Sequence, residues 1–295
     1  MNEMRLEILK TYKLYIGGQF PRTESGRYYT PLNKKGEVLA NMCLSSRKDV
    51  KNAVSAAKKA FGGWSEKTAF NRSQILYRIA EMLEGRRDQF IAELVKQGLT
   101  KAKAEQEVDL SVDRIVYYAG WCDKYSQVFS SVNPVASSHF NFSVQEAMGV
   151  VGIIAPQDSS LIGLVSAILP VIAGGNTCVV LASENLPLCS ITLAEVINSS
   201  DVPGGVVNIL TGNEKELNDT FATHMEINAI LYAANSNEML KSIQEKAIEN
   251  LKRVYSYQRD WLKNEGQDVY FINDFQEIKT TWHPIENIGG TSSSY

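Results

Sequence analysis

The sequence predicts an α/β fold built on a parallel, doubly wound sheet. Three observations carry this. Between residues 150 and 250, short runs rich in β-branched residues alternate four times with helical patterns, and such alternation yields strand–helix–strand units with right-handed crossovers. Three amphipathic helical patterns precede those units, between residues 46 and 128, and each needs a core to lie on. Separate stretches at 140–145 and 275–282 alternate polar and apolar residues, the period of a strand solvated on one face.

The elements follow in order. An extended piece, Tyr12-Lys13-Leu14-Tyr15-Ile16, turns at Gly17-Gly18, and further extended pieces fall at Tyr28-Tyr29 and at 38–43. Ser46, three residues before Asp49, forms an acidic variant of the capping box, and Val50, Val54, Ala57 and Phe61 then keep helical spacing. A second helix starts near Asn71, with Gln74 at its third position, and carries Ile75, Ile79 and Leu83. A third, over 105–128, repeats Val108, Val112, Ile115 and Ala119, and its Tyr117, Tyr118, Trp121 and Tyr125 read as core filling. Residues 130–148 hold one strand of a hairpin. Strands are then expected at 150–154, ended by Ala155-Pro156, and at 177–181, 206–210 and 227–232, with helices at 161–173, 190–197, 213–222 and 237–250. Residues 255–274 read as polar and irregular. The strand at 275–282 is stopped by Pro284, and Gly289-Gly290-Thr291-Ser292-Ser293-Ser294 has linker composition.

Composition narrows the function classes. The 295 residues are 44% hydrophobic, with a net charge of -3, enough for one large domain or two modest ones. No basic face points to nucleic acid. The start, MNEMRLEILK, is too acidic for a secretory signal, and no apolar run approaches the ~18 residues of a membrane span. Cys43, Cys122, Cys178 and Cys189 form no CxxC pair, and His139, His224 and His283 are scattered, so neither a zinc site nor a disulfide framework is expected. Free thiols imply a reducing compartment, and we expect a cytoplasmic protein.

Several segments resemble the aldehyde dehydrogenase superfamily. They are Leu14-Tyr15-Ile16-Gly17-Gly18-Gln19-Phe20, the helix 54–64 with its Ala-Ala-x-x-Ala-Phe pattern, Gly149-Val150-Val151-Gly152-Ile153-Ile154-Ala155-Pro156, Ala173-Gly174-Gly175-Asn176-Thr177, and, most specific, Pro203-Gly204-Gly205-Val206-Val207-Asn208-Ile209-Leu210-Thr211-Gly212. Asn250-Leu251-Lys252-Arg253-Val254 closes the series. The resemblance implies a Rossmann-like cofactor domain with N-terminal helices over 1–254, including an oligomerisation hairpin at 130–148. It implies a short replacement of the catalytic domain at 255–274, and an oligomerisation strand and tail at 275–295. That family holds NAD(P) without a GxGxxG turn, so the lack of one here does not exclude a dinucleotide. The implied cofactor contacts are Ile154, Pro156, Ser183, Glu184 and Gly205.

The same resemblance marks what is missing. Asp158 stands where the family has the Asn that donates to the reaction's oxyanion, and a carboxylate has no donor. The family's Lys before Ser183-Glu184 is replaced by Ala182 or deleted. Ala234 and Met239 replace two glycines beside the pyrophosphate, and Glu238 adds a repelling charge to that helix N-terminus. After Val254 come Tyr255-Ser256-Tyr257-Gln258 in place of the Glu-Leu-Gly-Gly general-base segment, and the nucleophile's domain has no room before Phe275. Cys178 falls in a buried strand, where a thiol is inert, and Cys189 opens a helix, which lowers a thiol pKa. The expected protein therefore has no catalytic residue, binds NAD or NADP weakly or not at all, and resembles the C-terminal half of the tandem aldehyde dehydrogenases, which lacks the nucleophile. It is expected to be a subunit docked on a complete aldehyde dehydrogenase, or self-associated, through 130–148 and 275–283. Two alternatives stand beside this. One is an NAD(P)-binding oxidoreductase of altered chemistry using Asp158, Glu184 and Glu238. The other is a self-assembling structural protein.

Overall fold

The computed structural model describes residues 8–33 and 35–285. The opening segment considered as a signal and the linker-like tail from 286 onward lie outside the described residues, apart from Ile8, Leu9 and Lys10. Strands β1 (Thr11–Tyr12), β2 (Tyr28–Tyr29) and β3 (Asn41–Cys43) make a small sheet in which β3 pairs with both others. Only Thr11 and Tyr12 of the opening piece are strand. Tyr15 instead exchanges backbone hydrogen bonds of 2.9 and 2.8 Å with Ile209, so the arm seals one edge of the main sheet. The turn needs Gly18, which has φ of 79° and where a Cβ would sit 2.9 Å from Gly204 Cα.

Five helices follow, where three were expected. Helix α1 (Arg47–Ser65) starts at the capping box of Ser46 and Asp49. Helix α2 (Ala69–Glu84) is capped by Thr68, ahead of the expected start. Helix α3 (Arg87–Lys96) was not expected. It has no side-chain cap and buries only Phe90, Glu93 and Leu94, so its apolar stripe is too thin to read. Helix α4 (Lys101–Trp121) is capped by Thr100, and α5 (Tyr125–Phe129) is separate from it. Tyr118 and Tyr125 are buried and Tyr117 and Trp121 half-buried, as packing aromatics.

Strands β4 (Ser131–Asn133) and β5 (His139–Ala147) form the hairpin. The main sheet then runs through β6 (Val150–Ile154), α6 (Ile162–Ala173), β7 (Thr177–Leu181), α7 (Leu188–Asn198), β8 (Val207–Leu210), α8 (Glu214–Thr223), β9 (Ala229–Tyr232) and α9 (Asn237–Ala247). A fifth strand, β10 (Arg253–Ser256), pairs parallel with β9, so residues 255 and 256 belong to the sheet. The order is β10-β9-β6-β7-β8, all parallel. The chain moves one way from β6 and the other way from β9. Right-handed crossovers therefore put α6 and α9 on opposite faces, and each helix contributes to a different apolar cluster. No helix among the described residues is long and apolar enough to cross a membrane.

Helix α6 is buried on every side, from Ile162 to Ala173. Its terminal backbone groups have no water to turn to and must be satisfied by protein. Glu107 Oε1 accepts from the Leu161 and Ile162 amides at 3.0 and 3.2 Å, and Ser159 Oγ accepts from the Gly163 amide at 2.9 Å. At the other end, Trp64 Nε1 donates to the Ile172 carbonyl at 3.0 Å, Arg72 Nε to Ala173 at 3.1 Å and Gln276 Nε2 to Gly174 at 3.1 Å.

Residues 257–274 are not the irregular polar stretch expected. Tyr257, Trp261, Phe271 and Ile272 are buried in the core shared with α4 and α6, and the segment ends in a short helix, α10 (Tyr270–Asn273). Tyr257 stacks on Phe271 with centroids 4.2 Å apart. The buried Arg114 of α4 gathers the segment. It donates to the Trp261 carbonyl at 3.1 Å, to Lys263 at 3.4 Å, to Ser166 Oγ of α6 at 2.5 Å, and to the Gly266 carbonyl. Asn176 Nδ2 donates to the Phe275 carbonyl at 2.7 Å. Strand β11 (Gln276–Pro284) then pairs antiparallel with β5 over its whole length, and Pro284 is its last residue.

Replacing Arg114 with methionine keeps the length of the side chain but strands buried carbonyls. The R114M variant should lose about 3 kcal/mol in urea unfolding, and trypsin should cleave at Arg259 or Lys263 faster than in the parent. A stability change below about 0.5 kcal/mol, with unchanged proteolysis, would show that Arg114 does not hold the segment.

Candidate functional site

In an open parallel sheet the ligand crevice lies at the carboxyl ends of the strands, where the strand order reverses. Here that point falls between β6 and β9. A crevice of about 460 Å³ opens there, lined by Asp158 and Ser159 after β6, Ile162 at the head of α6, Asn235 after β9 and Glu107 of α4. The remaining wall, Gln258 to Leu262, comes from the segment docked by Arg114.

The expected cofactor residues divide. Ile154 ends β6 with its side chain fully buried. Pro156 is buried behind Gly163, where an added Cβ would come within 2.8 Å of the proline ring. Ser183 donates to the Gln157 carbonyl at 3.1 Å and accepts from the Leu186 amide at 3.0 Å, so its hydroxyl is spent on the loop. The Glu184 amide donates to Gln157 Oε1 at 2.9 Å, and its carboxylate accepts from Asn213 Nδ2 at 3.0 and 3.2 Å. These four stand near the carboxyl ends of β6 and β7. Gly205 does not join them. It precedes β8 at the amino end of a parallel sheet, with φ of 98°, and a Cβ there would lie 2.6 Å from the Ala56 carbonyl. Its role is close packing against α1.

The helix opening after β9 is closed by its own residues. Ser236 Oγ accepts from the Met239 amide at 3.3 Å. The Met239 carbonyl accepts from Asn218 Nδ2 at 3.3 Å, and the methionine side chain packs on the apolar core between α8 and α9. Tyr232 donates to Glu214 Oε1 at 2.8 Å across the same groove, and burial raises the Glu214 carboxyl above its usual range. Asp158 and Glu238 are exposed, with Asn235 Nδ2 3.4 Å from Asp158 Oδ2.

Glu107, Gln157 and Asn213 were missed from sequence. Glu107 carried a signal: it shares the inward face of α4 with Ala104, Val108, Ser111 and Arg114, and a charge on an apolar stripe marks a paired or functional group. Asn213, ahead of Glu214 and Glu216, carries an N-cap signal. Nothing in the sequence singles out Gln157.

The four cysteines are free and buried. Cys189 departs from expectation. It opens α7, but it is fully buried beside Glu93 and Gln97, and burial first, then the Glu93 charge, pushes its thiol pKa well up. Gln97, not the thiol, receives a helix amide, from Leu188 at 3.1 Å. Burial raises Cys178 and lifts Cys122 to about 12. Among the described residues no group of three or more His, Cys, Asp or Glu is placed to hold a metal. Titration with a thiol-specific disulfide reagent should label the native chain slowly and release all four thiols only in denaturant. Fast stoichiometric labelling of Cys189 in the native state would contradict this burial.

The model of the aldehyde dehydrogenase family matches residues 21–257. The putative aldehyde dehydrogenase DhaS of Bacillus subtilis (strain 168) is 32% identical over 252 residues, covering 83% of this chain and 50% of that protein. The cytosolic 10-formyltetrahydrofolate dehydrogenase of Mus musculus is 31% identical over 257 residues, 85% of this chain and 28% of that protein. Among solved structures, the NAD+ complex of an aldehyde dehydrogenase from Bacillus cereus superposes with a TM-score of 0.79 at 27% identity, covering 84% of this chain and 50% of that one. HpcC from Thermus thermophilus gives 0.80 at 27%, covering 84% and 48%. The chain thus spans half the length, or less, of these two curated relatives. With a family match running from the first sheet to the fifth strand of the main sheet, the chain belongs to the aldehyde dehydrogenase family.

Proposed function

We propose that this chain is a non-catalytic subunit that assembles with a complete aldehyde dehydrogenase through the sheet of β5 and β11. The observation that carries the reading is the outer side of β11. This strand spans nine residues, pairs with β5 along all of them, and has no further strand beside it among the described residues. Ile278 and Trp282 on it are 68% and 57% exposed. An open strand edge is a template for another chain, Ile278 and Trp282 put two apolar side chains on one face beside it, and three strands standing apart from the main sheet gain stability by being covered.

Loss of chemistry belongs to the same reading. The family match ends at residue 257, and the chain then packs against α4 and α6 before entering β11. Asp158 brings a negative charge to the position of an oxyanion donor. The residues present do not fit a dinucleotide held in the family manner: Met239 fills the groove between α8 and α9, Ser236 takes its amide, and Glu184 is held by Asn213. Binding of NAD(P) is therefore weak or lost. The altered-oxidoreductase reading gains no support, because of Asp158, Glu184 and Glu238 only Asp158 lines the crevice. A cytoplasmic setting is part of the proposal, supported by four thiols without a disulfide.

Co-expression of the tagged chain with a complete aldehyde dehydrogenase from the same cells should give a mixed complex of fixed ratio. The I278K/W282K variant should lose that complex and keep its melting temperature, since both side chains are exposed. Isothermal titration should place the NAD+ Kd above about 1 mM. Recovery of the chain alone as a defined homo-oligomer, or a complex indifferent to the two lysines, would overturn the proposal.

A further inference from the structure

The crevice between β6 and β9 has an unusual wall for this position. Glu107 is 6% exposed and lines it. Its Oε1 takes both helix amides, from Leu161 and Ile162. Its Oε2 has no hydrogen-bond partner among the described residues, and the side chain lines the crevice. No lysine or arginine among the described residues pairs with it. Burial lifts the carboxyl above its usual range, against the opposing pull of the Ile162 and Leu161 amides. A buried carboxylate without a countercharge is costly.

Three features fix the chemistry that would relieve it. The N-terminus of α6 is already capped by Glu107, so the anion site that a helix start offers is taken. Asp158 adds a second carboxylate, which accepts from Asn235 Nδ2 at 3.4 Å and has no cationic partner among the described residues, while Asp260 is paired with Lys263 at 3.0 Å and Arg259 stands exposed on the rim. Trp261, held through its carbonyl by Arg114, supplies an aromatic wall, and Ile162 an aliphatic one. Aromatic faces favour cations. The volume of about 460 Å³ suits a small organic molecule, and no metal-holding group of residues is present among those described.

We infer that this crevice binds a small organic ammonium compound, its cationic nitrogen facing Glu107 and Asp158 and its carbon skeleton lying against Trp261 and Ile162. Most of that wall, Glu107 apart, comes from residues that replace or follow the family's own: Asp158 at the oxyanion-donor position and the segment from 258 to 262. The site is independent of assembly through β11.

The test is isothermal titration of the full chain with 1,4-diaminobutane, 1,4-butanediol, succinate and NAD+. One saturable site for the diamine is expected, with no saturable heat from the diol or the dianion. Glu107→Gln keeps an acceptor for the two α6 amides but removes the charge, and should weaken diamine binding at least about tenfold with an unchanged circular dichroism spectrum. Asp158→Asn, on an exposed loop that tolerates change, should weaken it about threefold. The inference fails if the diamine gives no saturable binding, if butanediol or succinate binds as well, or if both variants bind the diamine like the parent. Saturable NAD+ binding without diamine binding would overturn it as well.

Discussion

The rest of the structure depends on the ends of one helix. Helix α6 lies wholly inside the protein, so each amide and carbonyl at its ends must meet a protein partner or cost about 1–3 kcal/mol unmade. Those partners come from far apart in sequence: Ser159 from the preceding loop, Glu107 from α4, Trp64 from the end of α1, Arg72 from α2 and Gln276 from the start of β11. The amino-terminal helices, the main sheet and β11 are thus tied to each other through a single element. All of these partners lie within residues 64 to 276.

The segment from 257 to 274 takes a second share of that task. It crosses the surface of α4 and α6 and buries four apolar side chains there, and Arg114 satisfies its carbonyls. Gly266 allows the approach, since a Cβ there would stand 3.0 Å from both Arg114 Nη1 and the Trp261 backbone. The segment also directs the chain to β11. It packs as a short cover on the core and leads the chain into β11 beside β5.

Much of the fold was legible. Strands β6 and β7 fall where their β-branched runs stand, because buried parallel strands read as continuous apolar stretches. The capping box set the start of α1. What was not legible has physical causes. Helix α3 buries few residues, so its period is faint. Strand β10 is an edge of the sheet and half-exposed, so Arg253, Tyr255 and Ser256 look like loop. The segment after it hides its apolar residues at irregular spacing, where neither a 2-residue nor a 3.6-residue period can show. At the site, family pattern located Asp158 and Glu184, but not what holds them. Gly205 was misplaced because glycine marks close backbone approach without saying to what. Glu107 was readable as a charge on the inner face of α4, and its pairing with α6 was not, since that contact spans 54 residues of chain.

The most direct measurement of the central claim is hydrogen exchange of the chain, read by mass spectrometry, with and without a complete aldehyde dehydrogenase at saturating concentration. Peptides covering 276–284 carry the edge of β11 that has no neighbouring strand among the described residues. The account predicts that their exchange slows strongly when the complete enzyme is present, while peptides of α1 and α2 stay as they were. Unchanged exchange across 276–284, or protection confined to another surface, would contradict assembly through this strand.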